Sequence, residues 1–149
     1  MKIVLATSNS DKVREIKDFL KDYEIYALRE ICEPFEIAED GATFAANALI
    51  KARAVHTKLR ELNLADEFIA LSDDSGISVE ALGGRPGIYS ARFSDMNERG
   101  QITGKSATDA SNRAKLISEL KALNLTSSPA FYTACIAVSS KHGDFTAHG

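Results

Sequence analysis

Four consecutive apolar residues, Ile3-Val4-Leu5-Ala6, end abruptly at four polar ones, Thr7-Ser8-Asn9-Ser10. A short apolar run without alternation reads as a strand buried on both faces. The polar cluster supplies helix N-cap residues. Val13, Ile16, Phe19 and Leu20 then fall on one face of a helix running from about Lys12 to Leu20. Phe68-Ile69-Ala70-Leu71 is a second such strand, and it stops at Ser72-Asp73-Asp74-Ser75-Gly76. Between the two, Phe44, Ala48, Ala52, Val55, Leu59 and Leu62 step by fours and threes, which predicts a long amphipathic helix from Thr43.

The remaining segments punctuate this pattern. Asp22 to Ala42 is acidic, with Pro34 as a breaker, and holds one or two short strands. Ile77 and Val79 restart a brief alternation. Gly83-Gly84-Arg85-Pro86-Gly87 is a loop, and Ser94 to Ser106 is polar and loop-like. Ala110, Ala114, Ile117 and Leu120, with Leu116 and Leu123, mark a third helix. A strand from Phe131 to Val138 follows Pro129, and His142 and His148 sit in a polar tail. Alternating strands and helices predict one α/β domain over residues 1–149, its sheet covered by helices.

Composition excludes several functions. The chain has 149 residues, and 18 Lys and Arg stand against 21 Asp and Glu, a formal net charge of -3. That balance argues against non-specific nucleic-acid binding, though a local pocket can still be positive. Cys32 and Cys135 form neither a CxxC pair nor a disulfide framework and read as buried thiols. No apolar run approaches a membrane span. The apolar part of the N-terminus is too short for a signal peptide. The expectation is a cytoplasmic protein with no nucleic-acid or membrane partner.

Four constellations carry chemistry. In Thr7-Ser8-Asn9-Ser10-Asp11-Lys12, a polar loop before a helix offers backbone N–H groups and a cation to an anion. An ordinary capped helix explains it as well. Asp73-Asp74-Ser75-Gly76 places two carboxylates after a strand, where open α/β sheets bind ligands. A turn at Ser75-Gly76 would aim both at one hard cation, and a plain Asp-rich turn fits equally. Glu39 is a possible third metal ligand. Asn47 and Lys51 share a helix face that is either solvated or turned to phosphate. In Pro86-Gly87-Ile88-Tyr89-Ser90-Ala91-Arg92-Phe93, Arg92 offers a fork for phosphate or a structural ion pair. Gly100-Gln101-Ile102-Thr103-Gly104-Lys105-Ser106 looks like a phosphate-binding P-loop but is one residue short and follows no apolar strand.

Taken together and in order, the motifs are more specific. Ala6-Thr7-Ser8-Asn9 with Lys12 and Glu15, Glu39-x-Gly41-x-Thr43-Phe44 with Asn47 and Lys51, Asp73-Asp74-Ser75-Gly76, and Gly84-x-Pro86-Gly87-x-Tyr89-Ser90-Ala91-Arg92 resemble the inosine triphosphate pyrophosphatase family. Asn112, Lys115 and Leu116 also fit it, and the likeness runs from Ile3 to Gly149. It implies a mixed twisted sheet flanked by helices, two lobes with a nucleotide cleft, and a homodimer. The implied reaction converts purine triphosphates such as ITP, dITP and XTP to the monophosphate and pyrophosphate with Mg²⁺. Thr7, Ser8, Asn9, Ser10, Asp11, Lys12, Asn47, Lys51, Ser75 and Arg92 would meet the substrate. Glu39, Asp73 and Asp74 would hold metal, and Asp74 would act as base.

The chain departs from the family pattern at Ser8, Asp40 and Ala46, none of which removes an assigned charged group. The resemblance also implies a further Gly-Phe-Gly-Tyr-Asp-Pro segment and a Ser-His-Arg segment that grip the base, and neither occurs between Met1 and Gly149. The sequence-based expectation is therefore a chain lacking the family's C-terminal part. Two rivals remain: a Maf-like nucleotide pyrophosphatase with another base preference, and a nucleotide binder that has lost catalysis.

Overall fold

The structure, a computed structural model, describes residues 1–104 and 106–149. Lys105, in the P-loop-like stretch set aside above, lies outside the described residues. In chain order the strands are β1 (Lys2–Leu5), β2 (Glu24–Ala27), β3 (Phe68–Val79), β4 (Ala130–Ser140) and β5 (Gly143–His148). The α-helices are α1 (Ser10–Phe19), α2 (Phe44–Glu61) and α3 (Asp109–Ala122). The strands form one sheet in the order β2-β1-β3-β4-β5. β1 pairs in parallel with both β2 and β3, and β4 pairs antiparallel with β5. The sheet is mixed, as expected.

The unalternating run in β1 has a direct cause. Val4 and Ala6 pack into one core with Val55, Leu59, Phe68 and Ala70, beneath α2. Ile3 and Leu5 face the other way, into a core with Leu71 that Val13 and Ile16 of α1, with Leu20 just after it, cover. Both faces are buried, so both sets of side chains are apolar. Small residues let α2 come close: Ala48 and Ala52 meet Cys135 and Ala137 in a third cluster. Both cysteines are free; Cys135 is buried, and Cys32 only half-buried.

Four expectations are corrected. Phe19, the last residue of α1, is 87% exposed, while Leu20 just after it packs on the core. No residue of α3 is buried: Leu116 and Leu120 are half-covered, while Ala110, Ala114 and Ile117 are exposed. β3 does not stop at Ser72 but runs unbroken to Val79, with no turn at Ser75-Gly76. The polar tail is a strand: β5 pairs with β4 from Cys135↔His148 to Ser140↔Gly143, and all six of its residues are exposed. An exposed edge strand needs no apolar pattern, so periodicity could not reveal it.

The chain forms two compact units, residues 1–74 with 134–149, and residues 75–133. In the second, Ser90 ties the Gly87–Asp95 segment to β3. Its Oγ accepts from Ile77 N–H at 2.9 Å and donates to the Gly87 carbonyl at 2.6 Å. A Cβ on Gly76 would collide with that carbonyl and with Ser90 Oγ. Lys115 lies 4.7 Å from the ring centre of buried Phe93 and donates to the Met96 carbonyl. Asn112 accepts from Ser94 N–H at 2.8 Å. Much of the glycine- and serine-rich motif pattern is thus internal scaffolding of this unit. No helix among the described residues is long and apolar enough to cross a membrane.

Candidate active site

β2, β1 and β3 run parallel, so their carboxyl ends emerge at one edge of the sheet. A cavity of about 490 Å³ opens there within the first unit, lined by Thr7, Ser8, Ser10, Lys12, Lys51 and Asp73 among others. This is where open α/β sheets bind ligands.

The loop after β1 is built by its own side chains. Asn9 caps α1, its Oδ1 accepting from Asp11 N–H at 2.9 Å and Lys12 N–H at 3.2 Å. Thr7 Oγ1 accepts from Asn9 N–H at 3.2 Å. Three of the N–H groups expected to face an anion are therefore already satisfied. Asn9 and Asp11 do not line the cavity, and Asp11 instead pairs with Arg14 at 2.9 Å. Ser8 and Ser10 stay on the cavity wall.

The two aspartates diverge. In an extended strand neighbouring side chains point to opposite faces, and β3 is extended through both. Asp73 pairs with Lys12. Asp74 pairs with Lys51 at 3.4 Å, and Lys51 also reaches Glu39 at 3.2 Å. The aspartates therefore do not converge through a turn; each meets its own lysine. Lys51 is 14% exposed and Asn47 1%, so the α2 face that carries them is buried rather than solvated.

Asn47 holds the Glu39 loop. Its Oδ1 accepts from Gly41 N–H at 2.8 Å, and a Cβ on Gly41 would come within 2.6 Å of that oxygen. Ser72 Oγ donates to the Ala48 carbonyl and locks β3 to α2. Asp74 is thereby held in a desolvated place. Burial pushes its carboxyl above the ordinary carboxylate value; the Lys51 charge pulls it down, Glu39 pushes it further up, and the Asn47 amide opposes. Its Oδ2 is buried with no hydrogen-bond partner among the described residues.

That orphaned oxygen, with Glu39 and Asp74 both facing one ammonium, is a donor set suited to a hard cation. Among the described residues no three His, Cys, Asp or Glu side chains stand close enough to hold a metal by themselves. Mg²⁺ commonly takes one or two carboxylates and completes its shell with water and substrate phosphates. The residues fit an ion of that kind arriving with its substrate.

A model of the Ham1 family matches residues 3–149. The chain belongs to the Ham1 family. It is 74% identical, over its whole length and 70% of the relative's, to a protein of Campylobacter concisus named dITP/XTP pyrophosphatase. A Campylobacter fetus relative of the same name is 67% identical, with 69% of its length covered. Among solved structures, a HAM1 protein from Coxiella burnetii matches with a TM-score of 0.77 at 33% identity, covering all of this chain and 70% of that one. A nucleoside-triphosphatase / dITP/XTP pyrophosphatase from Mycobacterium abscessus matches with a TM-score of 0.68 at 31% identity, over all of this chain and 71% of that one. The resemblance read from the motifs and the mixed α/β sheet are both borne out.

In this Ham1 chain Ser75 and Arg92 fall in the second unit. Arg92 has an irregular backbone where two 3₁₀ turns meet, and it makes no ion pair among the described residues. Sequence reading missed the far wall of the cavity, which includes Arg29, Pro34, Phe35, Glu36 and Ile37. One signal was available: Arg29 follows a strand's carboxyl end, as the loop after Ala6 does.

Proposed function

We propose that the chain hydrolyses purine nucleoside triphosphates of the ITP, dITP and XTP kind to the monophosphate and pyrophosphate, with Mg²⁺. One observation carries the reading: two lysines held by carboxylates at the shared carboxyl edge of three parallel strands. The names of the Campylobacter relatives supply the substrate class.

The residues divide the work. Lys12 and Lys51 exchange their carboxylate partners for phosphate oxygens and so neutralise the polyanion. Glu39 and Asp74, which share Lys51, are the residues that would hold Mg²⁺, joined by Asp73 once substrate draws it away from Lys12. When bound, the metal supplies charge neutralisation on the phosphate oxygens. The Asp74 carboxylate takes a proton from the attacking water. A P–O bond forms between that water and the α-phosphorus, the bridging P–O bond breaks, and pyrophosphate carries away the bonding electron pair. Ser8 and Ser10 orient the phosphates, and Asn47 acts through the Glu39 loop and Asp74. Ser75 and Arg92 are proposed substrate contacts, and the working form is proposed to be a homodimer.

The test follows products from ITP, dITP, XTP, ATP and GTP, with magnesium and with chelator. Metal-dependent pyrophosphate is expected. Orthophosphate as the product, or turnover in chelator, overturns the reading. Equal turnover of ATP and ITP would retain the reaction and remove the base preference.

A further inference from the structure

Lys12 and Lys51 are already committed to carboxylates, which leaves the far side of the cavity to be explained. Arg29 lines it, is exposed, and makes no ion pair among the described residues. Its neighbour Glu30 is engaged elsewhere: Oε2 accepts from Ala27 N–H at 2.6 Å and from Lys17 at 3.0 Å. Those bonds pin the 3₁₀ turn Leu28–Glu30 that presents Arg29. Glu36 shares the lining and forms no ion pair with it.

The sheet order gives Arg29 its place. Asp73 stands on β3, the loop from Thr7 to Lys12 follows β1, and Arg29 lies two residues beyond the end of β2. Neighbouring strands are about 4.8 Å apart, so the ends of β2 and β3 are separated by roughly 10 Å, with the β1 loop between. A triphosphate whose α-phosphorus lies at the aspartates therefore extends across the β1 loop towards β2. There it meets Arg29, which has no carboxylate partner among the described residues, and a planar guanidinium matches a terminal phosphate bidentately.

We propose that Arg29 grips the terminal phosphate of the triphosphate and makes the site prefer triphosphates to diphosphates. This rests on the function proposed above and goes beyond it by naming the residue that reads chain length. Arg29→Ala should raise KM for ITP by about 10- to 100-fold, the range of a charge-assisted contact. Turnover should change little, because the contact is the same in ground and transition states. The preference for ITP over IDP should shrink. Arg29→Lys should recover part of the loss, keeping charge without the fork. Calorimetry with inorganic pyrophosphate should show the same weakening. Thermal melting should change little, since the exposed side chain makes no ion pair among the described residues.

An unchanged KM with unchanged pyrophosphate affinity overturns the proposal. Equal losses for ITP and IDP overturn it too, moving Arg29 to an inner phosphate or the base. If the wild-type chain releases no pyrophosphate from ITP, the reaction assigned above fails. Arg29-dependent pyrophosphate binding would still support the grip in that event, and its absence would sink it.

Discussion

Two lysine–carboxylate pairings flank the same strand and differ in almost every physical respect. On one side, Lys12 is 34% exposed and pairs with Asp73. On the other, Lys51 is 14% exposed and is shared by Glu39 and a 13% exposed Asp74. The first is a half-wet pair that a ligand opens at small cost, since exposed pairs contribute little. The second is a desolvated group in which burial keeps one carboxyl above its ordinary value. Consecutive residues of one type acquire separate characters because the pleat sends them to opposite faces. Pairs of carboxylates whose environments differ in this way are where acid–base roles divide.

The largest effect that would break this comparison is on turnover. Asp74→Asn should lower kcat by about 100-fold or more, the usual size for a general base. Asp73→Asn should lose less, and raised magnesium should recover part of it. If Asp73→Asn is the more damaging and magnesium does not help, the roles are reversed.

Stability sharpens the contrast. Without ligand, Lys51→Ala should cost about 1–3 kcal/mol, because it leaves a buried carboxyl without its cation. Lys12→Ala should cost no more than about 1 kcal/mol, as expected for a part-exposed pair. Urea titrations of both variants measure this, and equal losses would erase the distinction.

The smallest effect is in pH dependence. A carboxyl whose folded pKa is raised favours the folded state fully below its unfolded pKa, and that contribution is lost as pH rises through the folded value. In chelator, the contribution of Asp74 to the melting temperature should therefore fall as pH rises through and just above the ordinary carboxylate range. Asp74→Asn should remove that contribution, which is read as the difference in slope between the native chain and the variant. A slope unchanged by Asp74→Asn would place the buried charge elsewhere.

The sequence by itself determined a good deal here. Unalternating β1 required apolar neighbours on both faces, and the spacing of Ala48, Ala52, Val55 and Leu59 required a helix against it. The ordered motifs were enough to place the chain in its family, as the match to residues 3–149 bears out. These properties were legible because they are local: period, capping and short spacing are written along the chain.

Only the tertiary structure decided which residues act together. Nothing local ties Lys12 to Asp73, 61 positions away, or places Asn47 against Gly41 and Asp74 in a dry setting. Nothing local says that Asn9 uses up the amides that seemed open to an anion. Arg29 was invisible because its worth lies in lateral strand order, β2 beside β1 beside β3, which a linear pattern does not encode. β5 stayed hidden because an exposed edge strand is specified by its partner's backbone hydrogen bonds rather than by its own side chains. Electrostatics and desolvation act through space, so the character of each charged group was fixed only when the sheet brought distant segments to one edge.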